Sequence, residues 1–202
     1  SFCDKILILY DPKSSDKSLE LITDMQLIET KIEIIVRKYG GSSSKEYLME
    51  RAIELGGDGC WLAFVDADEI LSDNAFLMRD IIETADKTGL VHVVLKGIHF
   101  IYTFATEDAT LPEHFWPQRF IKNEGGISFV KNKVHELLER AKGDYKPNET
   151  IIVDDVKIFH YGYIQGVMNI LEKNVIDFHK IQIHTPEFLH FWRLNHFMGT
   201  YP

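Results

Sequence analysis

The sequence is poor in cysteine, in basic residues and in long apolar runs. Its two cysteines, Cys3 and Cys60, show no metal-ligand spacing, and we expect them to be buried thiols of a reducing compartment. No apolar run approaches the roughly 20 residues of a membrane span, and no signal-peptide pattern is visible. With 22 basic and 31 acidic residues, the net charge of -9 argues against a nucleic-acid-binding surface.

What is present suits one α/β domain. The chain has 202 residues, and 45% of them are apolar, which predicts a sizeable core. Apolar runs of strand length alternate with helical patterns in the first half, so we expect a mostly parallel mixed sheet flanked by helices. The predicted strands are 5–10, 31–36, 61–65, 90–95 and 98–104, and the predicted helices are 16–28, 43–55 and 74–87. Ser43 and Glu46 are spaced as a capping box for the second helix.

The second half has a different pattern. Residues 118–121 and 127–130 predict a hairpin joined through a glycine-containing turn. Four apolar residues at helical spacing predict a helix over 134–141. A strand over 151–161 and a helix over 165–180 follow.

The most informative stretch begins with the apolar run from Trp61 to Val65, which predicts a strand buried on both faces. Asp66, Asp68 and Glu69 follow at its carboxyl end, which is where ligands bind in open α/β sheets. Carboxylates this close repel each other unless a cation or hydrogen-bond donors offset the charge, and oxygen ligands suit Mg²⁺ or Mn²⁺. The alternative is a solvated acidic turn followed by a helix.

Three further charged residues could contact a nucleotide. Asp11 ends the first predicted strand, where a carboxylate could bind a base or ribose, or simply cap the next helix. Arg51 could clamp a phosphate or be an ordinary helix-surface charge. Arg119 could face a diphosphate, since a planar guanidinium suits that group, or face water on its strand.

Two other positions could carry acid–base or metal chemistry. His135 and Glu136 are predicted to open a helix, where Glu136 could be a general base or only a carboxylate favoured by the helix dipole. His160 ends a predicted strand, where it could bind a metal or phosphate, or serve as a structural histidine. The remaining histidines form no H-x-H or H-E-x-x-H pattern.

The order of these pieces over residues 3–175 resembles the family 2 glycosyltransferases, in particular the lipopolysaccharide-core glucosyltransferase subgroup. The motifs are Asp11 with Ser14-Ser15-Asp16, Arg51-Ala52, Trp61 with Asp66-Ala67-Asp68-Glu69, Gln118-Arg119-Phe120, Val134-His135-Glu136, and His160-Tyr161-Gly162-Tyr163 with Lys173.

The resemblance implies a GT-A fold over residues 1–180, followed by an aromatic-rich tail over 181–202. Two departures from the family are visible. Pro12 stands where the family has a second aspartate after the one that matches Asp11. The family's first strand and helix would precede Ser1, so we expect a chain truncated at its N-terminus.

By the same resemblance, the chain would be a metal-dependent inverting glycosyltransferase with Mn²⁺ or Mg²⁺ as cofactor. It would transfer a sugar from a nucleotide-sugar, with a UDP-sugar as first choice, to a hydroxyl of a glycan or glycolipid such as a cell-envelope polysaccharide. Asp66 would contact the ribose side, Asp68 would bind the metal, and His160 would be an additional ligand. Asp11 would lie by the nucleoside, and Arg119 would offset charge on the departing diphosphate.

Glu136, paired with His135, would be the general base for the acceptor hydroxyl. Such an enzyme is expected in the cytoplasm, with peripheral membrane contact as an option. A different class of function stays open, namely a catalytically inactive nucleotide- or carbohydrate-binding module. A nucleotidyltransferase is a third hypothesis, but such an enzyme would need a glycine-rich, basic phosphate-binding loop, which is not visible in the sequence.

Overall fold

The computed structural model describes residues 2–101, 104, 118–131 and 136–164. Within these residues there are three α-helices: α1 (Ser18–Ile28), α2 (Ser42–Gly56) and α3 (Met78–Lys87). The strands are β1 (Ile6–Tyr10), β2 (Ile32–Val36), β3 (Trp61–Ala63), β4 (Glu69–Leu71), β5 (His92–Ile101), β6 (Gln118–Lys122), β7 (Ile127–Lys131), β8 (Glu136–Arg140) and β9 (Thr150–Tyr163). Short 3-10 segments cover Asp73–Leu77 and Pro147–Glu149. The predicted helix over 165–180 and the aromatic tail lie outside the described residues.

The chain forms two compact units. Of the described residues, the first unit contains 2–64, 75–93, 118–131 and 136–151. The second unit contains 65–74, 94–101, 104 and 152–164.

The α/β class is confirmed, and the sheet is mixed. Strands β1 and β2 form a parallel pair, whereas β3 with β6, β4 with β9, and β7 with β8 are antiparallel. The largest sheet has the strand order β3-β6-β5-β9-β4. Parallel pairing therefore does not dominate among the pairs whose register is defined, contrary to the prediction.

The hydrophobic core of the first unit lies between α2 and strands β3 and β6. Met49, Leu62 and Ile121 are almost completely buried there and pack against Phe64 and Phe129. Each such side chain contributes about 1.5 to 3 kcal/mol when it is fully removed from water. No side chain caps the N-terminus of α2, so the burial of its apolar face contributes far more to the stability of the helix than capping does.

The predicted capping box of α2 is wrong. The helix begins after Gly41, and no side-chain cap hydrogen bond is made. Instead, the Glu46 carboxylate accepts a hydrogen bond from the backbone N–H of Phe129. A tertiary partner thus takes the carboxylate that local capping would have used.

The predicted hairpin and the following predicted helix are both wrong. Strands β6 and β7 do not pair with each other, because β6 pairs with β3 and β7 pairs with β8. The segment predicted as a helix over 134–141 contains strand β8, with Leu138 opposite Phe129 and Leu137 opposite Val130. A short apolar stretch is compatible with either structure, and here the available strand edge of β7 decided it.

The strand before the acidic motif is also shorter and less buried than predicted. β3 ends at Ala63, which is exposed, while Leu62 is buried. β3 stands at one end of the strand order of this sheet, so within that order it has a neighbouring strand on one side only.

The two predicted strands over 90–95 and 98–104 are one continuous strand, β5. Cys3 and Cys60 are half-buried cysteines, and burial raises the pKa of each thiol.

Candidate functional site

The acidic motif forms a tight turn that ends in strand β4. The backbone N–H of Glu69 donates to the carbonyl of Asp66 at 3.0 Å, and the Asp66 N–H donates to the Glu69 carboxylate at 3.0 Å. Glu69 is 6% exposed, so its carboxylate is a buried part of the turn. The backbone from Asp66 to Glu69 is therefore not extended, and no helix starts at the motif, unlike in the sequence-based alternative.

The turn brings Asp68 to His160, although the two residues are far apart in the sequence. Strand β4 pairs with β9 so that Glu69 lies opposite His160, and the Tyr161 N–H donates to the Asp68 carbonyl at 2.8 Å. The imidazole Nε2 of His160 lies 3.6 Å from Oδ2 of Asp68. Their side chains are 17% and 35% exposed, so the pair is partly shielded from water and still accessible.

Two neighbours surround this pair within the second unit. The His99 ring, on β5, packs edge-on against the His160 ring with centroids 4.6 Å apart and an angle of 60°. His99 is 8% exposed. Gly162 lies two residues after His160 on β9, so it faces the same side of the strand. A Cβ added at Gly162 would lie 2.6 Å from the Asp68 carboxylate and 2.7 Å from Cε1 of His160.

The geometry suits two ligands of a shared divalent cation. Two ligands that each lie about 2.1 Å from a cation, at an angle of about 120°, are about 3.6 Å apart. An octahedral shell would need the two atoms to approach to about 3 Å. Within the described residues, no group of three or more His, Cys, Asp or Glu side chains is placed to hold a metal ion. A cation at this pair would need further ligands, and phosphate oxygens or water can serve as such ligands.

The predicted nucleotide-binding residues Asp11, Arg51 and Arg119 lie in the first unit. The Asp11 carboxylate accepts hydrogen bonds from the backbone N–H groups of Lys13, at 2.8 Å, and Tyr39, at 3.0 Å. These two donors hold the pKa of Asp11 below its usual value. The carboxylate thus fixes the loops that follow β1 and β2.

Arg51 is engaged by carboxylates on α2 and β2. Its Nε donates to the Glu33 carboxylate at 3.1 Å, and its Nη1 donates to the Glu54 carboxylate at 3.1 Å. Arg119 lies on β6, is half-buried, and accepts a hydrogen bond from the Phe64 N–H on its carbonyl. Two carboxylates thus already offset the charge of Arg51.

No family model matches the chain, and a search of curated proteins finds no match.

The predicted acid–base pair is placed only in part. Glu136 begins β8 opposite Lys131, so it does not open a helix as predicted, because β7 recruits this segment into a sheet. The helix-dipole explanation of Glu136 therefore does not apply. His135 lies outside the described residues.

In the part of the chain that the structure describes, no helix is both long and apolar enough to cross a membrane.

Sequence reasoning missed His99 and gave Gly162 no role. The signal for Gly162 was present: a glycine two positions from a candidate histidine on a predicted strand shares its face. His99 had no local signal, because its proximity to His160 depends on β5 and β9 lying side by side. Glu69 was read as part of an acidic cluster, whereas the structure buries it and ties it to the turn.

Proposed function

We propose that the chain is a metal-dependent inverting glycosyltransferase that transfers a sugar from a nucleotide-sugar, with a UDP-sugar as first choice, to a hydroxyl of a glycan or glycolipid. The observation that carries the proposal is the Asp68–His160 pair, whose Nε2 and Oδ2 atoms lie 3.6 Å apart. A carboxylate and an imidazole at this separation suit one divalent cation, Mn²⁺ or Mg²⁺. The proposal also rests on the resemblance of the motifs to family 2 glycosyltransferases with a GT-A fold.

Each residue has a defined part in this proposal. Asp68 and His160 would hold the cation, which would supply positive charge to the diphosphate of the donor. By the resemblance to family 2 glycosyltransferases, Asp66 would contact the ribose side of the donor, and Arg119 would offset charge on the departing diphosphate. Glu136 removes the proton of the acceptor hydroxyl as that oxygen attacks the anomeric carbon. The enzyme would act in the cytoplasm, with peripheral membrane contact as an option.

The test is calorimetric titration of the full chain with uridine diphosphate, with and without Mn²⁺. We expect Mn²⁺ to strengthen binding, and we expect Asp68→Ala and His160→Ala each to remove this strengthening. Asp154→Ala is the matched control, because Asp154 is an exposed aspartate in the same unit, on β9. Mn²⁺-dependent binding that survives in Asp68→Ala would contradict the proposal.

A second candidate function is a catalytically inactive module that binds a nucleotide or carbohydrate. It is favoured by the engagement of Asp11 and Arg51 in internal hydrogen bonds, which leaves less of the predicted donor site for phosphate and nucleoside. Assaying a panel of nucleotide-sugars with glycan acceptors separates the two candidates. Turnover that is lost in Glu136→Gln excludes the inactive module, whereas binding without any turnover favours it.

A further inference from the structure

We propose that Gly162 and His99 are positioning residues that hold the His160 imidazole against Asp68. This inference rests on the proposed function for its purpose, since a metal site needs both ligands directed to one point. It concerns the arrangement of the pair itself, which can be tested without a metal or substrate.

The first observation is steric. A Cβ at Gly162 would lie 2.6 Å from Oδ2 of Asp68, 2.7 Å from Cε1 of His160 and 2.8 Å from Nε2 of His160. Carbon atoms do not approach polar atoms this closely, so any side chain at position 162 must displace at least one member of the pair. The three close atoms belong to the two proposed ligands, so Gly162 makes room for the pair in particular.

The second observation concerns the backbone conformation of Gly162, because glycine is often required at positions where φ is positive. Seven described glycines have a positive φ, which strains other residues, and Gly162 is not among them. Alanine at position 162 would therefore adopt the backbone conformation without strain. The close atoms lie at the ends of side chains that can rotate, so the variant is expected to fold while the pair is separated.

The third observation concerns the ring that packs against the imidazole. The His99 ring is 8% exposed and meets the His160 ring at 60°, with centroids 4.6 Å apart. An edge-to-face contact of this kind fixes the orientation of a ring as well as its position. The His160 ring thus packs against a buried ring and lies beside a backbone position that lacks a side chain, with its Nε2 3.6 Å from Oδ2 of Asp68.

The inference predicts a selective effect of Gly162→Ala. In crystals of the metal-free variant, we expect Nε2 of His160 and Oδ2 of Asp68 to lie farther apart than in wild type. In calorimetry with uridine diphosphate, we expect Mn²⁺ affinity to fall by about 10- to 100-fold, the range for disturbed ligand orientation. Gly40→Ala is the matched control, because its Cβ would lie 2.7 Å from the Ser43 hydroxyl, within the first unit, and its φ is not positive.

A solution measurement does not depend on crystals or on metal. If Gly162 makes room for the imidazole, Gly162→Ala lowers the urea midpoint in the wild-type background and lowers it less in a His160→Ala background. Equal losses in the two backgrounds, or an unchanged Asp68–His160 separation in the crystal, would overturn the role of Gly162.

His99 is tested by truncation and rescue. We expect His99→Ala to let the His160 ring rotate and to weaken Mn²⁺ binding, and we expect His99→Phe to restore both because it keeps a ring of similar shape. If His99→Phe is as defective as His99→Ala, the nitrogen atoms of His99 matter and the packing role is wrong. If wild type binds no Mn²⁺ but the ring orientation follows these expectations, the proposed function fails while the positioning role stands.

Discussion

Acid should destabilise the first unit through one buried histidine, His92. Its side chain is 3% exposed, its ring stacks on Tyr145 with centroids 4.1 Å apart, and its Nδ1 contacts the Thr150 hydroxyl at 3.2 Å. Burial, and to a smaller degree the nearby Arg140, lowers the pKa of His92 from 6.5 to about 4. The imidazole is therefore neutral in the folded protein over most of the mildly acidic range.

The sign of the effect follows from proton binding. Between pH 6.5 and about 4, the unfolded chain binds a proton at His92 and the folded chain does not, so stability falls as the pH falls. A difference of about 2.5 pKa units corresponds to about 3 kcal/mol, at about 1.4 kcal/mol per unit. Most of this loss should be complete by about pH 4.

The assay is urea unfolding at a series of pH values from 7 to 4, followed by circular dichroism, for wild type and His92→Gln. The glutamine does not titrate, so the variant should lose about 3 kcal/mol less than wild type over this range. Parallel pH profiles for the two proteins would refute the reasoning, because they would show that His92 titrates alike in the folded and unfolded states.

Glu149→Gln gives an internal control with a different pH window. The guanidinium of Arg140, and then the backbone N–H of Lys146, hold the pKa of Glu149 at about 2, below its usual 4.5. Its stabilising contribution is present above pH 4.5 and is lost as the pH falls towards 2. The glutamine variant should therefore lack the wild-type loss of stability below pH 4.5, which lies mostly below the pH range in which His92 acts.

Three further predictions concern packing, each measured as the free energy of unfolding in urea. Arg140→Met breaks the ion pair of Arg140 with Glu149, whose side chains are 5% and 27% exposed. Because the pair is only partly buried, the loss should be somewhat less than the roughly 3 to 5 kcal/mol of a fully buried ion pair, and no loss would show that the ion pair does not stabilise the fold. Phe120→Ala should cost about 3 to 5 kcal/mol, since Phe120 is completely buried, and a loss below about 1 kcal/mol would contradict its place in the core. Gly126→Ala should destabilise because Gly126 has φ 68° and its Cβ would lie 2.7 Å from Cβ of Ala141; an unchanged midpoint would contradict this turn.

The elements of the first 60 residues were predictable within a few residues. β1, α1, β2 and α2 follow local rules: strand-length apolar runs, helical spacing and a terminating glycine. Gly57, for example, closes α2 with φ 75°, as its place after the helical pattern predicts. Such signals lie within a few residues of the structure they specify, so no tertiary information is needed.

The later elements depended on partners that sequence spacing does not reveal. Residues 136–140 became a strand because β7 offered them an edge, and β6 paired with β3 in place of the predicted hairpin. The same limitation applies to Glu46, which bonds to the Phe129 backbone in place of its own helix end. In each case, a contact between distant residues outweighed a weak local preference.

The sequence alone determined the α/β class, the position of the acidic turn and the residue types of the candidate site. Those features depend on composition and on neighbours along the chain. Only the tertiary structure decided that Asp68 meets His160, that Glu69 is buried in the turn, and that Gly162 and His99 enclose the imidazole. These contacts depend on the register of β4 on β9 and on the neighbouring position of β5, which long-range hydrogen bonds and burial select together.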